Sequence, residues 1–109
     1  MKWKLIYLPE AEKDLNHLAG NQQLMVAKAI DKVLENPLPA SEGGHGKSLG
    51  NKRGNNLSNF LKVKLKSAGI RIVYKLIRVE SEMLVIVIGA RADDEVYEIA
   101  QKRVKKYNL

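Results

Sequence analysis

The residues best equipped for chemistry in this chain are cations. Lys62-Val63-Lys64-Leu65-Lys66 alternates charged with apolar side chains at the two-residue period of a β-strand, which puts three ammonium groups on one face. Arg71 and Lys75 follow in the next apolar segment. Between Gly43 and Val79 the chain has nine Lys or Arg and no Asp or Glu, whereas the remainder holds ten basic and twelve acidic residues. That segment therefore accounts for the formal net charge of +7. Like charges held this close repel, and the arrangement makes sense where an anion binds. Lysines on an exposed strand also discourage edge-to-edge aggregation, but one or two would suffice for that. The chemistry on offer is electrostatic stabilisation of phosphates, so nucleic acid or a ribosome is the favoured partner.

Other chemistries are poorly supplied. The chain has no cysteine, which excludes a thiolate nucleophile, a disulfide framework and a Cys-based zinc site. Its two histidines, His17 and His45, lie far apart with no ligand partners at useful spacing, so no metal site is expected. His17 reads as a solvated helix residue and His45 as a loop residue within reach of a bound polyanion. Gly43-Gly44-His45-Gly46-Lys47-Ser48 is similar to a P-loop, but the required spacing calls for glycine where Ser41 stands, and no strand-to-helix context surrounds it.

These cations must be positioned by a small fold. A length of 109 residues with 45% apolar content suits one domain, residues 1–109, with one core. The first apolar run is too short for a signal peptide and nothing approaches a membrane span, so a soluble cytoplasmic protein with no membrane partner is expected. A strand is predicted at 3–8. Pro9 with Glu10, Glu12 and Asp14 starts a helix, which Gly20-Asn21 ends. A second helix at 22–36 buries Val26, Ala27, Ile30, Val33 and Leu34 and is stopped by Pro37 and Pro39. Residues 37–59 show no periodicity and read as a long loop. Strands follow at 60–66, 70–78 and 83–88, the last apolar on both faces and hence central, and a helix runs from about residue 94 to 106. Val96, Ile99, Ala100 and Val104 form its apolar stripe, with Tyr97 at the margin. The expected fold class is α+β: a small antiparallel-rich sheet with two N-terminal helices on one face and a C-terminal helix, in the order β-α-α-β-β-β-α.

A two-residue turn at Ala68-Gly69 would set Lys66 opposite Arg71, Lys64 opposite Val73 and Lys62 opposite Lys75. Val63, Leu65, Ile72 and Tyr74 then share the other face, and a slip of one residue would mix the two sets.

The run from Leu61 to Tyr74, followed by Val87-Ile88-Gly89-Ala90-Arg91 and then Glu95-Val96-Tyr97, resembles the RelE toxins of bacterial toxin–antitoxin pairs. The likeness extends over nearly the whole chain, including the opening strand and the Asn36-Pro37 exit from the helix pair. It implies a RelE-like fold and a ribosome-dependent endoribonuclease, an mRNA interferase that inhibits translation. By this resemblance, messenger RNA is cut in the ribosomal A site without metal or cofactor, by attack of a 2′-hydroxyl on the neighbouring phosphorus.

The functional residues of that family fall on Lys62, Lys64, Arg71, Arg91 and Tyr97. Lys64 is the candidate base, because the cations around it disfavour one more positive charge there. Arg71, Lys62 and Arg91 would stabilise developing charge, Arg91 attending the leaving oxygen. Tyr97 would stack on a base or orient the nucleophile. Lys66 and Lys75 are assigned to backbone phosphates, and Lys47, Lys52 and Arg53 to ribosomal RNA. Asp93 stands where related toxins often carry a further basic residue.

The implied partners are the 70S ribosome, messenger RNA and a cognate antitoxin whose helix docks near the hairpin or displaces the C-terminal helix. Operator DNA is implied only indirectly, through the antitoxin complex. Two alternatives stand beside this reading: a ParE-like toxin that inhibits gyrase, although such relatives generally lack the Lys, Arg and Tyr set, and a noncatalytic RNA- or ribosome-binding module.

Overall fold

Proline, glycine and charge punctuate the chain into its elements. The computed structural model, which describes residues 3–52, 55–90 and 93–109, runs β1 (Lys4–Tyr7), α1 (Pro9–Asn16), α2 (Gly20–Leu34), β2 (Lys47–Lys52), β3 (Asn55–Leu65), β4 (Ile70–Ile77), β5 (Glu82–Gly89) and α3 (Asp93–Lys106). Pro9 opens α1 with Glu10 and Glu12 in the first turn, where a missing N–H costs nothing and carboxylates suit the helix dipole. Gly20, expected to end α1, instead opens α2. Gln22 explains this, since its side-chain oxygen accepts the backbone N–H of Ala19 at 3.2 Å and so satisfies a donor left unpaired before the first turn. Val26, Ile30 and Val33 are the buried residues of α2. Ala27 is exposed, one position off the stripe.

The five strands form one sheet in the order β1-β5-β4-β3-β2. β1 pairs with β5 in parallel, and the other pairings are antiparallel. β5 lies between β1 and β4, and Met83 to Ile88 are all buried, as the absence of alternation predicted. β2 corrects the reading of 37–59 as a loop: that segment supplies a strand and the first five residues of β3. Gly50 and Asn51 are weak strand formers, and among the described side chains of the segment Leu49 is the hydrophobic one that joins the core. Its ladder to β3 makes it a strand, and this is invisible without the partner.

The β3–β4 hairpin closes through a four-residue loop. Leu65 pairs with Ile70, Lys64 with Arg71 and Lys62 with Val73. Gly69 sits at φ 65°, a conformation that glycine tolerates best. The expected register is thus displaced by two residues, which moves Lys66 and Ser67 from the strand into the loop and leaves every paired side chain on its predicted face. The face of Leu61, Ile72 and Tyr74 meets α1 and α2; the hydroxyl of Tyr74, itself fully buried, donates to the Pro37 carbonyl at 2.7 Å just beyond α2. The other face carries Lys62, Val73 and Gly89, and α3 lies on it. Lys62 bonds Tyr97 of that helix, and a Cβ on Gly89 would meet Val96 at 3.1 Å.

One polar cluster ties the helices together around the sheet edge. β1 stops pairing at Tyr7 and Val85, leaving the next groups of β5 without a paired strand on that side. Asp14 of α1 accepts the Ile88 N–H at 3.1 Å, and Arg103 of α3 donates to the Ile86 carbonyl at 2.9 Å. The two side chains also pair with each other at 2.6 and 3.2 Å. Ile86 is the residue skipped where the β4–β5 register shifts, so its carbonyl is the one most in need of a donor. Among the described residues no helix is long and apolar enough to cross a membrane.

Candidate nucleic-acid interface

The basic face changes character along β3. Phe60 is buried, Lys62 is half-buried and Lys64 is exposed, because α3 covers the first and ends its cover near the second. Beyond that boundary, His45, Lys47, Lys62, Val63, Lys64 and Lys66 line an open groove of about 480 Å³. Lys47 lies directly across the β2–β3 ladder from Lys62. Residues facing each other across an antiparallel pair stand about 5 Å apart at Cβ. The groove is therefore a fixed array of ammonium groups carried on paired strands.

Lys64 stands opposite Arg71 in the same way. Like charges directly opposite each other destabilise a sheet, and an anion between them relieves that cost. Arg71 reaches back to the turn, its Nη1 donating to the Gly69 carbonyl at 3.1 Å. Lys62 is placed by Tyr97: its ammonium donates to the phenol oxygen at 3.1 Å and lies 5.7 Å from the ring centroid, within cation–π range. Tyr97 itself is only 4% exposed. Its ring belongs to the core and does not present a face for a base to stack on, while its hydroxyl fixes Lys62 at the groove's inner edge.

The structure brings together Lys47, Lys62, Lys64, Lys66, Arg71 and Tyr97 from the expected set. Lys75 shares the face but not the groove. Its ammonium lies 5.6 Å from the Phe60 ring centroid and donates to the Leu109 carbonyl at 3.4 Å, beside the end of α3. Arg53 and Arg91 lie outside the described residues, as does the side chain of Lys52. The pairing of Lys47 with Lys62 was hidden from sequence reasoning, because it depends on β2 being a strand; among the described side chains, buried Leu49 was the signal.

Behind the groove, burial pushes the Tyr74 hydroxyl well above the ordinary phenol range, so it remains a neutral donor to Pro37. At the far end of α3, Glu10 accepts from Lys106 at 2.8 Å and from Tyr107 at 2.6 Å. These bonds hold its carboxyl down at about 2.

A mixed sheet bearing a cationic hairpin, with a C-terminal helix closing on the same face, has clear counterparts. The family model for the ParE toxin of the type II toxin–antitoxin system parDE matches residues 5–95. The mRNA interferase toxin RelE of Escherichia coli strain K12 is 31% identical over 104 residues, 95% of this chain and 99% of that protein. A putative RelE-like toxin protein of Escherichia coli is 26% identical over 96% of this chain and 100% of its own length. Among solved structures, a mutant of E. coli toxin RelE in the free state superposes with a TM-score of 0.72 at 29% identity, covering 95% of this chain and 99% of that one. The toxin within the intact E. coli RelBE toxin–antitoxin complex gives 0.64 at 26% identity, over 83% and 98%. The fold and the family model define the toxin class of type II toxin–antitoxin systems. Within that class, the chain belongs to the RelE family.

Proposed function

We propose that this chain is a RelE-type mRNA interferase, a metal-independent endoribonuclease that cleaves messenger RNA in the ribosomal A site and is neutralised by a cognate antitoxin. The observation that carries this reading is the groove itself: Lys62 and Lys64 on one strand with Lys66 just beyond its end, Arg71 opposite Lys64, and Tyr97 bonded to Lys62. Relatives that bear the name mRNA interferase, and a relative solved together with its antitoxin, support it.

In the proposed reaction the 2′-oxygen forms a bond to the adjacent phosphorus and the bond from phosphorus to the 5′-oxygen breaks. The products are a 2′,3′-cyclic phosphate and a 5′-hydroxyl. Lys64, acting as its neutral amine, takes the 2′-hydroxyl proton. Lys62 and Arg71 stand where charge develops on the phosphorane oxygens, as preorganised donors do in other phosphoryl transfers. Arg91 is assigned to the leaving 5′-oxygen, whose negative charge it offsets until solvent water supplies the proton. Tyr97 serves by holding Lys62. Lys47 and Lys66 bind flanking phosphates, with Lys52 and Arg53 extending that contact to ribosomal RNA. The whole chain acts as one cytoplasmic domain.

The test is translation in vitro with purified protein, with messenger breaks mapped by primer extension in the presence and absence of ribosomes. Cleavage at A-site codons is expected, and it should be lost in the Lys64→Ala, Arg71→Ala double variant. Unchanged cleavage by that variant overturns the catalytic assignment. The match to the ParE model motivates a parallel gyrase supercoiling assay; inhibition of gyrase without messenger cleavage would favour the ParE-like activity.

A further inference from the structure

We infer that His45 is a pH-dependent phosphate contact of the basic groove, its imidazole taking up a proton as a phosphate binds beside it. The inference rests on the reading of the groove as an RNA site and adds a residue to it. Four of the groove's lining side chains are lysines, and His45 lies beside them. Imidazole is the ordinary side chain that gains charge between about pH 8 and about pH 5.

The backbone holding His45 is built to stay in place. The His45 N–H donates to the Asn36 carbonyl at 2.9 Å, Gly46 N–H to Leu38 at 3.0 Å, Gly44 N–H to Pro39 at 3.0 Å and Ala40 N–H to Gly46 at 2.8 Å. The Asn36 amide donates to Gly43 at 3.3 Å, and buried Tyr74 anchors Pro37 from below. Both neighbours of His45 are glycines where no side chain fits. A Cβ at Gly44 would run into the Leu38 carbonyl, and one at Gly46 into the Tyr74 hydroxyl. A loop packed this tightly holds the backbone of its exposed histidine beside the lysines, so that only the side chain is left to order on binding.

The charges facing His45 are Lys47 of β2, Lys62 and Lys64 of β3, and Lys66 of the loop that follows β3. The one carboxylate in residues 37–46, Glu42, is engaged by Arg78 at 2.7 and 3.0 Å. With no acid lining the groove among the described residues, an imidazolium there has phosphate as its natural counter-ion.

The experiment measures binding of the full chain to a fluorescent single-stranded RNA whose 2′-hydroxyls are methylated, so that it cannot be cleaved. A single-stranded nucleic acid gives a slope of about −0.7 in log K against log salt per phosphate contact, so one added contact strengthens binding about fivefold in about 0.1 M salt. The wild type should gain that factor between about pH 8 and about pH 5, with a steeper salt slope at the acid end. His45→Gln should abolish the gain, His45→Lys should give the acid-level affinity at both ends, and His17→Gln, which changes the only other histidine, should behave as wild type. A fivefold gain that persists in His45→Gln, or that disappears in His17→Gln, overturns the inference and leaves the RNA-site reading standing. Absence of RNA binding at every pH overturns both.

Discussion

Breaking the Asp14–Arg103 pair should destabilise the protein far more than an ordinary surface ion pair would. The two side chains are 21% and 16% exposed, and between them they bond two backbone groups of β5 beyond the end of its pairing with β1. Asp14→Ala removes the acceptor for the Ile88 N–H and strands the Arg103 guanidinium. Hydrogen bonds to charged groups contribute about 1.5–3 kcal/mol, and removing one partner of a fully buried pair costs about 3–5 kcal/mol. With one fifth of the pair in solvent, about 2–3 kcal/mol is expected, or roughly 10–20 °C in Tm for a domain of this size. Arg103→Met keeps the stem and leaves the Asp14–Ile88 bond in place, so about 1–2 kcal/mol is expected there.

The decisive quantity is the coupling. Once Asp14 is gone, Arg103 has lost its counter-ion, so the double variant should be more stable than the sum of the single effects implies, by about 1–2 kcal/mol. Urea unfolding followed by circular dichroism, with a common slope fitted to all four proteins, supplies the cycle. Hydrogen exchange supplies a second readout: the Ile88 amide should lose protection in Asp14→Ala and largely keep it in Arg103→Met. Single effects that add within about 0.5 kcal/mol, or an Ile88 amide indifferent to Asp14, would refute the account of this cluster as a substitute for the missing strand.

Two further predictions concern acid and glycine. The Glu10 carboxyl is held down at about 2, first by the Lys106 ammonium and then by the Tyr107 hydroxyl. Its contribution to stability is therefore complete above the ordinary carboxylate value and is lost as pH falls from there through about 2. Urea midpoints of wild type and Glu10→Gln should differ at neutral pH and converge towards that acid limit; a constant gap would count against the pairing. Gly46→Ala and Gly20→Ala should have opposite signs. A Cβ at Gly46 would run into the Tyr74 hydroxyl and approach Leu61 at 3.1 Å, so about 1–3 kcal/mol of destabilisation is expected in thermal melts. Gly20 has nothing within 4 Å of that position and opens α2, so alanine there should stabilise by about 0.5–1 kcal/mol through the unfolded chain.

The parts of the fold legible in the sequence were those governed by local period. The hairpin shows why. Its turn is two residues longer than Ala68-Gly69 suggested, which takes Lys66 out of the strand, and every facing pair differs from the expected one, yet Lys62, Lys64 and Arg71 remain on one face because strand parity survives a slip of two. β5 was legible as central because a half-exposed strand would have alternated. β2 was not, because an edge strand with Gly50 and Asn51 is held by its partner's hydrogen bonds and not by its own pattern. The bonds joining Asp14 to Arg103 span 89 residues of chain, and no local rule reports a contact of that range.

The same separation explains how one sheet face serves two purposes. Along β3 the side chains facing α3 pass from buried Phe60 through half-buried Lys62 to exposed Lys64, so apolar packing gives way to charge where the helix cover ends. Lys62 lies on that boundary, its stem available for packing and its ammonium held by a core tyrosine. Whatever moves α3 must therefore also move the innermost cation of the groove. The contacts that secure α3 to α1, Arg103 with Asp14 and Lys106 with Glu10, lie at the opposite end of the helix from Tyr97. They set the geometry of the groove without touching it, which makes α1, the element farthest in chemistry from the cations, part of what positions them.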